Sequence, residues 1–249
     1  MEKWFRMSED GLYIYCVSGR DSAAADMAPR MWIVSSDLAA LVASAEKREY
    51  QARSAGMLDH LRTLEDAMSG GPLLPVRFAT VAENEEQVRR LLEARRQEFL
   101  GLLEWLADKS EFGLRIFWAN PQTPFDEILP ERPDLKSWRD SLHAGSGQPD
   151  RLGFIEFGRA VKETFESKRQ REAEELLSEL RSLASTVKIL DVPSDRYVAN
   201  AAFLVASRAE EAFDTVVEGI RSNPRYQARY VGPTPPYNFV EIRVRWDEL

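Results

Sequence analysis

Leu73-Leu74-Pro75-Val76-Arg77-Phe78-Ala79-Thr80-Val81 is the stretch on which the fold turns. It is apolar and partly β-branched, and its proline drives Leu74 toward extended backbone. Helical periodicity lies on both sides of it. Upstream, Tyr50, Ser54, Met57, Leu61, Leu64 and Met68 recur at alternating spacings of four and three, predicting a helix from about Glu46 to Met68 that Ser69-Gly70-Gly71-Pro72 stops. Downstream, Asn84 with Gln87 has the form of a capping box. Val88, Leu92, Phe99, Leu102 and Leu106, widened by Leu91 and Leu103, then predict one core-facing helix of roughly six turns. A strand held between helices belongs to an α+β layer.

Further out, Leu12 to Val17 and Met31 to Val34 read as strands, and Phe112 to Trp118 closes the unit as another. This is a first α+β domain over residues 1–119. Pro121, Pro124, Pro130, Pro133 and Pro149, with Gly145 and Gly147, mark residues 120–151 as a linker or insertion with one short helix, Asp134 to Leu142, inside it. Residues 152–249 form the second domain. A long helix from about Gly158 to Ala184 leads it, and its charged run Glu166 to Glu175 reads as a solvated face or a partner surface. Strands follow at Thr186 to Leu190 and Tyr197 to Val205. Ser207 and Glu210 read as a second capping box before an amphipathic helix, and the strands Tyr226 to Val231 and Phe239 to Val244 flank a proline-rich turn. The predicted class is α+β in two domains, the second a ferredoxin-like sheet in modified order.

Composition narrows the function. A net charge of −8 argues against broad nucleic-acid binding, and Arg89, Arg90, Arg95 and Arg96 lie in a Glu-rich helical pattern that reads as a solvated face. No apolar run has the length of a membrane span and no signal-peptide pattern opens the sequence, so a cytoplasmic protein is expected. Two histidines, His60 and His143, and the single Cys16 make no imidazole or thiolate metal site, and no nucleotide or hydrolase motif occurs. Neither an enzyme nor a cofactor is expected.

Arg77, inside an apolar segment, is expected to be partly buried and therefore paired. Two roles stay open for it, a structural ion pair and a docking contact. The turn Tyr230 to Phe239 is likewise two-sided: it closes a hairpin rigidly, or it presents Tyr237 and the prolines as a preorganised surface.

Leu74 to Val81, Asn200-Ala201-Ala202-Phe203-Leu204-Val205, and Tyr230-Val231-Gly232-Pro233 through Pro236-Tyr237-Asn238-Phe239-Val240, preceded by Gly11 to Tyr15, together resemble the gas vesicle protein family GvpL/GvpF. The resemblance implies a cytoplasmic, vesicle-associated accessory of gas vesicle formation. It also implies an α+β N-terminal domain, a modified ferredoxin-like C-terminal domain, and binding to the hydrophobic shell protein GvpA and other accessory proteins. Catalytic residues and cofactors do not come with it. Ala79 stands where the family motif usually has Gly, and residues 120–151 are long for the family. A shell that excludes water has an apolar inner face, so its free subunits aggregate unless masked. The masking surface is expected in the N-terminal domain, with Leu74, Pro75, Arg77 and Phe78 as docking candidates. Tyr230, Gly232, Pro233, Pro236, Tyr237, Asn238 and Phe239 form the structural turn. The competing expectation is a small-ligand regulatory module built on a ferredoxin-like domain.

Overall fold

The structure, a computed structural model, describes residues 10–24, 27–46, 54–144 and 151–249. The chain divides into two compact units, one of Met1–Glu111 with Pro233–Leu249 and one of Phe112–Gly232.

The first unit is a sheet of β1 (Asp10–Gly19), β2 (Met31–Ser35), β3 (Leu38–Glu46), β4 (Leu73–Pro75) and β5 (Val81–Ala82), in the order β2-β3-β1-β4 with β5 also on β1. Three helices serve it: α1 (Ser54–Met68), α2 (Glu85–Ala94) and α3 (Arg96–Leu106). β3 is a strand that the sequence does not announce. Leu38, Ala39, Ala40, Leu41 and Val42 are all fully buried, so both faces are covered and no polar alternation marks it; alanine is also a weak strand former. Of the helix predicted from Glu46, the part at 47–53, with Tyr50, lies outside the described residues, and Glu46 itself ends β3. The expected six-turn helix is two helices, because Arg95 leaves helical geometry at φ −107° and ψ 18°.

The second unit begins within β6 (Lys109–Trp118) and continues through α4 (Thr123–Glu131), α5 (Pro133–Ala144), α6 (Arg151–Leu183), β7 (Thr186–Ile189), β8 (Tyr197–Ala206), α7 (Glu210–Ser222) and β9 (Tyr226–Thr234). Its sheet order is β7-β8-β6-β9. With β6 counted first, strand, helix, two strands, helix, strand is the ferredoxin-like arrangement itself. Phe112 to Trp118 therefore does not close the first sheet. Phe112, Leu114, Ile116 and Trp118 fill one core with Leu177, Leu180, Phe203, Phe213 and Val217. That alternating apolar face commits β6 to the second sheet.

Three further expectations change. The described part of residues 120–151 is mostly helical: Pro124 and Pro133 sit at the starts of α4 and α5, where a missing N–H is harmless. Gly145, Gly147 and Pro149 lie outside the described residues. These helices and the first half of α6, which begins at Arg151 instead of Gly158, bury a cluster of Ile128, Leu135 and Phe165, with Phe125 stacked on Phe165 at 4.5 Å. Ser207 does not sit at the N-cap of α7: it opens a 3-10 turn, Ser207–Ala209, and the helix starts after Ala209, which makes no side-chain cap. Phe239 to Val244 forms no strand of the second sheet. It returns to the first unit, where Ile242 pairs in parallel with Val76.

Candidate functional site

The docking candidates separate into a buried pair and an exposed pair. Leu74 and Pro75 face β1, opposite Val17 and Cys16, and are buried. Arg77 is exposed, contrary to expectation: the chain leaves the sheet after Val76, which turns its side chain to solvent. Its backbone is nonetheless anchored, the N–H donating to Ile242 O at 2.9 Å and the carbonyl accepting from Thr80 Oγ1 at 2.6 Å. Phe78 is half-buried and meets Tyr13 and His60 edge-on, with ring centroids 6.2 and 5.7 Å away.

Ala79 adopts the left-handed backbone that favours glycine, with φ 68°. Its N–H donates to the Tyr13 hydroxyl at 3.2 Å, and the hydroxyl lies 2.9 Å from His60 Nδ1. Burial is the largest influence on His60 and drives its pKa down to about 4, against the opposing pull of Asp59 and of a bond to the Val76 backbone. The ring is therefore neutral at pH 7. The consistent assignment has Nε2 donating to Val76 O and Nδ1 accepting from Tyr13. Around it, Arg30 pairs with Asp59 at 2.9 Å and lies 5.2 Å over the Tyr15 ring. Cys16 is buried, and burial pushes its thiol up to about 12.

Beyond Ala79 the chain rejoins β1 as β5, with Val81 opposite Tyr13 and Ala82 opposite Leu12. On its outer side lies a groove of about 410 Å³ lined by Ala79 to Glu83, Gln87, Val244 and Trp246. Its rim is fixed by a variant of the predicted cap. Gln87 N–H donates to Asn84 Oδ1 at 3.0 Å, while the Gln87 side chain accepts from Glu83 N–H, one residue beyond the usual partner, at 2.7 Å. Arg95 and Arg96, read as a solvated face, are tied to Glu98 with the Arg243 carbonyl and to Asp37 respectively.

The turn Tyr230 to Phe239 is not a hairpin. Tyr230 stacks on Phe112 at 5.6 Å and donates to Asp214 at 2.5 Å, burial and that carboxylate both holding its proton on. Gly232 then takes φ 149°, a conformation that a side chain resists. Pro233 is exposed, while Pro235 and Pro236 are buried. Phe239 N–H donates to Pro236 O at 3.0 Å, and the Tyr237 hydroxyl donates to Leu61 O at 3.2 Å. Asn238 gives both its backbone N–H, at 2.8 Å, and its side-chain amide to the carboxylate of Glu111, which is only 3% exposed. The turn thus caps a buried acid.

The second unit holds a different polar cluster. Lys168, inside the run expected to be solvated or partner-facing, is buried and reaches Glu127 at 2.8 Å and Glu131 at 2.6 Å. Arg225 grips Glu127 with two 2.7 Å bonds and Glu172 with bonds of 2.9 and 2.8 Å, and Tyr226 donates to Glu172 at 2.6 Å. The Arg225 bonds above all hold Glu127 down to about 2. The positions of Glu111 in the strand run and of Lys168 in the charged helix carry no local signal of burial.

Residues 11–241 match the family described as "Gas vesicle synthesis protein GvpL/GvpF". Gas vesicle protein F of Nostoc sp. (strain PCC 7120) is 29% identical over 81% of this chain and 84% of its own length. Gas vesicle protein F2 of Halobacterium salinarum is 22% identical over 96% of this chain and 95% of its own. The crystal structure of GvpF from Anabaena sp. PCC7120 superposes with a TM-score of 0.82 at 26% identity, covering 94% of this chain and all of that one. The chain belongs to the GvpL/GvpF family of gas vesicle synthesis proteins, and its role lies in gas vesicle formation.

Proposed function

We propose that the chain docks the hydrophobic shell protein GvpA, keeps it from aggregating while vesicles nucleate, and stays associated with the vesicle as a minor component beside other accessory proteins. The observation that carries this reading is the groove at Ala79 to Glu83, where Val244 and Trp246 offer apolar surface on a chain of net charge −8. Apolar surface takes up the shell subunit, and the charge keeps the complex in solution. None of the four docking candidates lines the groove itself: Arg77 is exposed and Phe78 half-buried against Tyr13 and His60 just ahead of it in the chain, and Leu74 and Pro75 are buried.

Co-expression with GvpA tests the reading. A soluble complex that co-purifies supports it; GvpA that aggregates equally with and without the chain overturns it. The small-ligand reading draws on a recess of about 350 Å³ between α6 and β7–β8. Its two cationic residues, Arg169 and Arg181, are already paired with Glu166 and Glu174, so neither cation is left over to anchor an anionic ligand.

A further inference from the structure

We propose that the groove takes its partner by strand addition at Val81, and that the captured segment is extended, aliphatic over the groove and basic where it passes Glu83 and Glu86. This deepens the shell-docking reading and rests on it. Ile14 N–H donates to Thr80 O at 2.9 Å, and Leu12 stands opposite Ala82. In an antiparallel ladder hydrogen-bonded and non-bonded pairs alternate, so Val81, between those two positions, directs its N–H and C=O away from β1 and into the groove.

The same outer edge already holds one extended segment through a single parallel bridge. At Val76, Arg77 N–H donates to Ile242 O at 2.9 Å and Ile242 N–H to Pro75 O at 2.8 Å. Arg77 to Thr80 then bulge away through the left-handed Ala79, and Val244 and Trp246 form the far wall of the groove. An outward donor and acceptor on an apolar floor is the chemistry of strand addition: the backbone supplies attachment and the pocket supplies selection.

Charge selects the occupant. Glu83 and Glu86 are exposed and, among the described residues, make no ion pair, while Glu85 between them is engaged by Arg89 at 3.3 Å. A Lys or Arg next to the aliphatic contact meets the Glu83 carboxylate on the groove wall, with Glu86 three residues on in the first turn of α2. A second copy of this acidic chain meets repulsion instead.

The test uses the full-length chain co-expressed with GvpA, with amide hydrogen exchange and pull-down as readouts. Binding at Val81 slows exchange of its amide by roughly tenfold or more in the complex. Glu83→Lys, on the exposed rim, weakens the complex by about fivefold or more at low salt and less at high salt. Val81→Pro removes the outward N–H without touching the β1 ladder; an unchanged melting temperature certifies its fold, and the wild-type exchange measurement stands if it fails that check. A soluble complex with unprotected Val81, or with protection centred on Leu152 and Ile155, which are 74% and 60% exposed on α6, overturns strand addition and leaves shell docking intact. Protection at Val81 with no effect of Glu83→Lys overturns the basic segment alone. Absence of any complex overturns the docking reading itself.

Discussion

One buried polar cluster in each unit is satisfied by means opposite to the other's. Around Tyr13 and His60 the first unit uses neutral partners: a hydroxyl, an imidazole held uncharged, and the backbone groups of Val76 and Ala79. Around Lys168 and Arg225 the second unit uses full charges, two cations against Glu127, Glu131 and Glu172. A neutral network tolerates burial cheaply but fails when one member acquires a proton. A charged cage tolerates acid until its carboxylates titrate, but removing one member strands the others. The two solutions therefore break under different insults.

The sharpest break is in the cage. Arg225→Ala leaves Glu127 and Glu172 with Lys168 alone, and because these groups are half-buried and partly screened, destabilisation of the second unit by about 2–3 kcal/mol is expected in urea denaturation; a loss below 1 kcal/mol would place the cage among ordinary surface pairs. Acid separates the two regions next. His60 has a folded pKa of about 4, below its unfolded value of 6.5, so the unfolded state binds the extra proton between those limits. Stability is full above pH 6.5 and falls by up to about 3 kcal/mol as pH drops toward 4. Glu127 has a folded pKa of about 2 against 4.5 unfolded, so its contribution is intact above pH 4.5 and lost as pH falls toward 2. Stability measured against pH should show two successive losses, and His60→Gln should remove only the first.

Smaller changes refine the picture of the first unit. Asn238→Ala takes the side-chain amide donor from the buried Glu111 carboxylate and leaves the backbone N–H in place, and a loss of about 1–2 kcal/mol is expected in a thermal melt. Ala79→Gly relieves a left-handed alanine while keeping the N–H that meets Tyr13, and should raise stability by about 1 kcal/mol; an unchanged melting temperature would show that the extra unfolded-chain freedom of glycine offsets the relieved strain.

These residues also show how far a sequence carries. β2 and α7, each with one wet face, appear where periodicity puts them. β1 and β3 are both buried on two faces, which erases alternation; β1 is legible from its aromatic and β-branched residues, whereas β3, rich in alanine, is not. The membership of β6 and of Phe239 to Val244 was misread because a strand's own pattern says that it pairs, and not with which sheet. At the site, Leu73 to Val81 was found from its apolar run, yet accessibility inverted within it: the apolar Leu74 and Pro75 are sealed, and the edge at Val81 is what the groove meets. The burial of Glu111, His60 and Lys168 is not legible locally, because partners such as Asn238, Tyr13 and Glu131 lie far along the chain.

The return of residues 233–249 to the first unit has a consequence in time. During translation the segment carrying Val244 and Trp246 is made after the whole of the second unit, so a growing chain holds the β1–β5 sheet long before the wall that completes its groove. On the docking reading proposed above, capture of an apolar client then awaits synthesis of Ile242, Val244 and Trp246. A nascent or prematurely terminated chain, still attached to the ribosome or released short of Ile242, lacks the clasp, and a fragment ending near residue 119 should fail as a binder for the same reason.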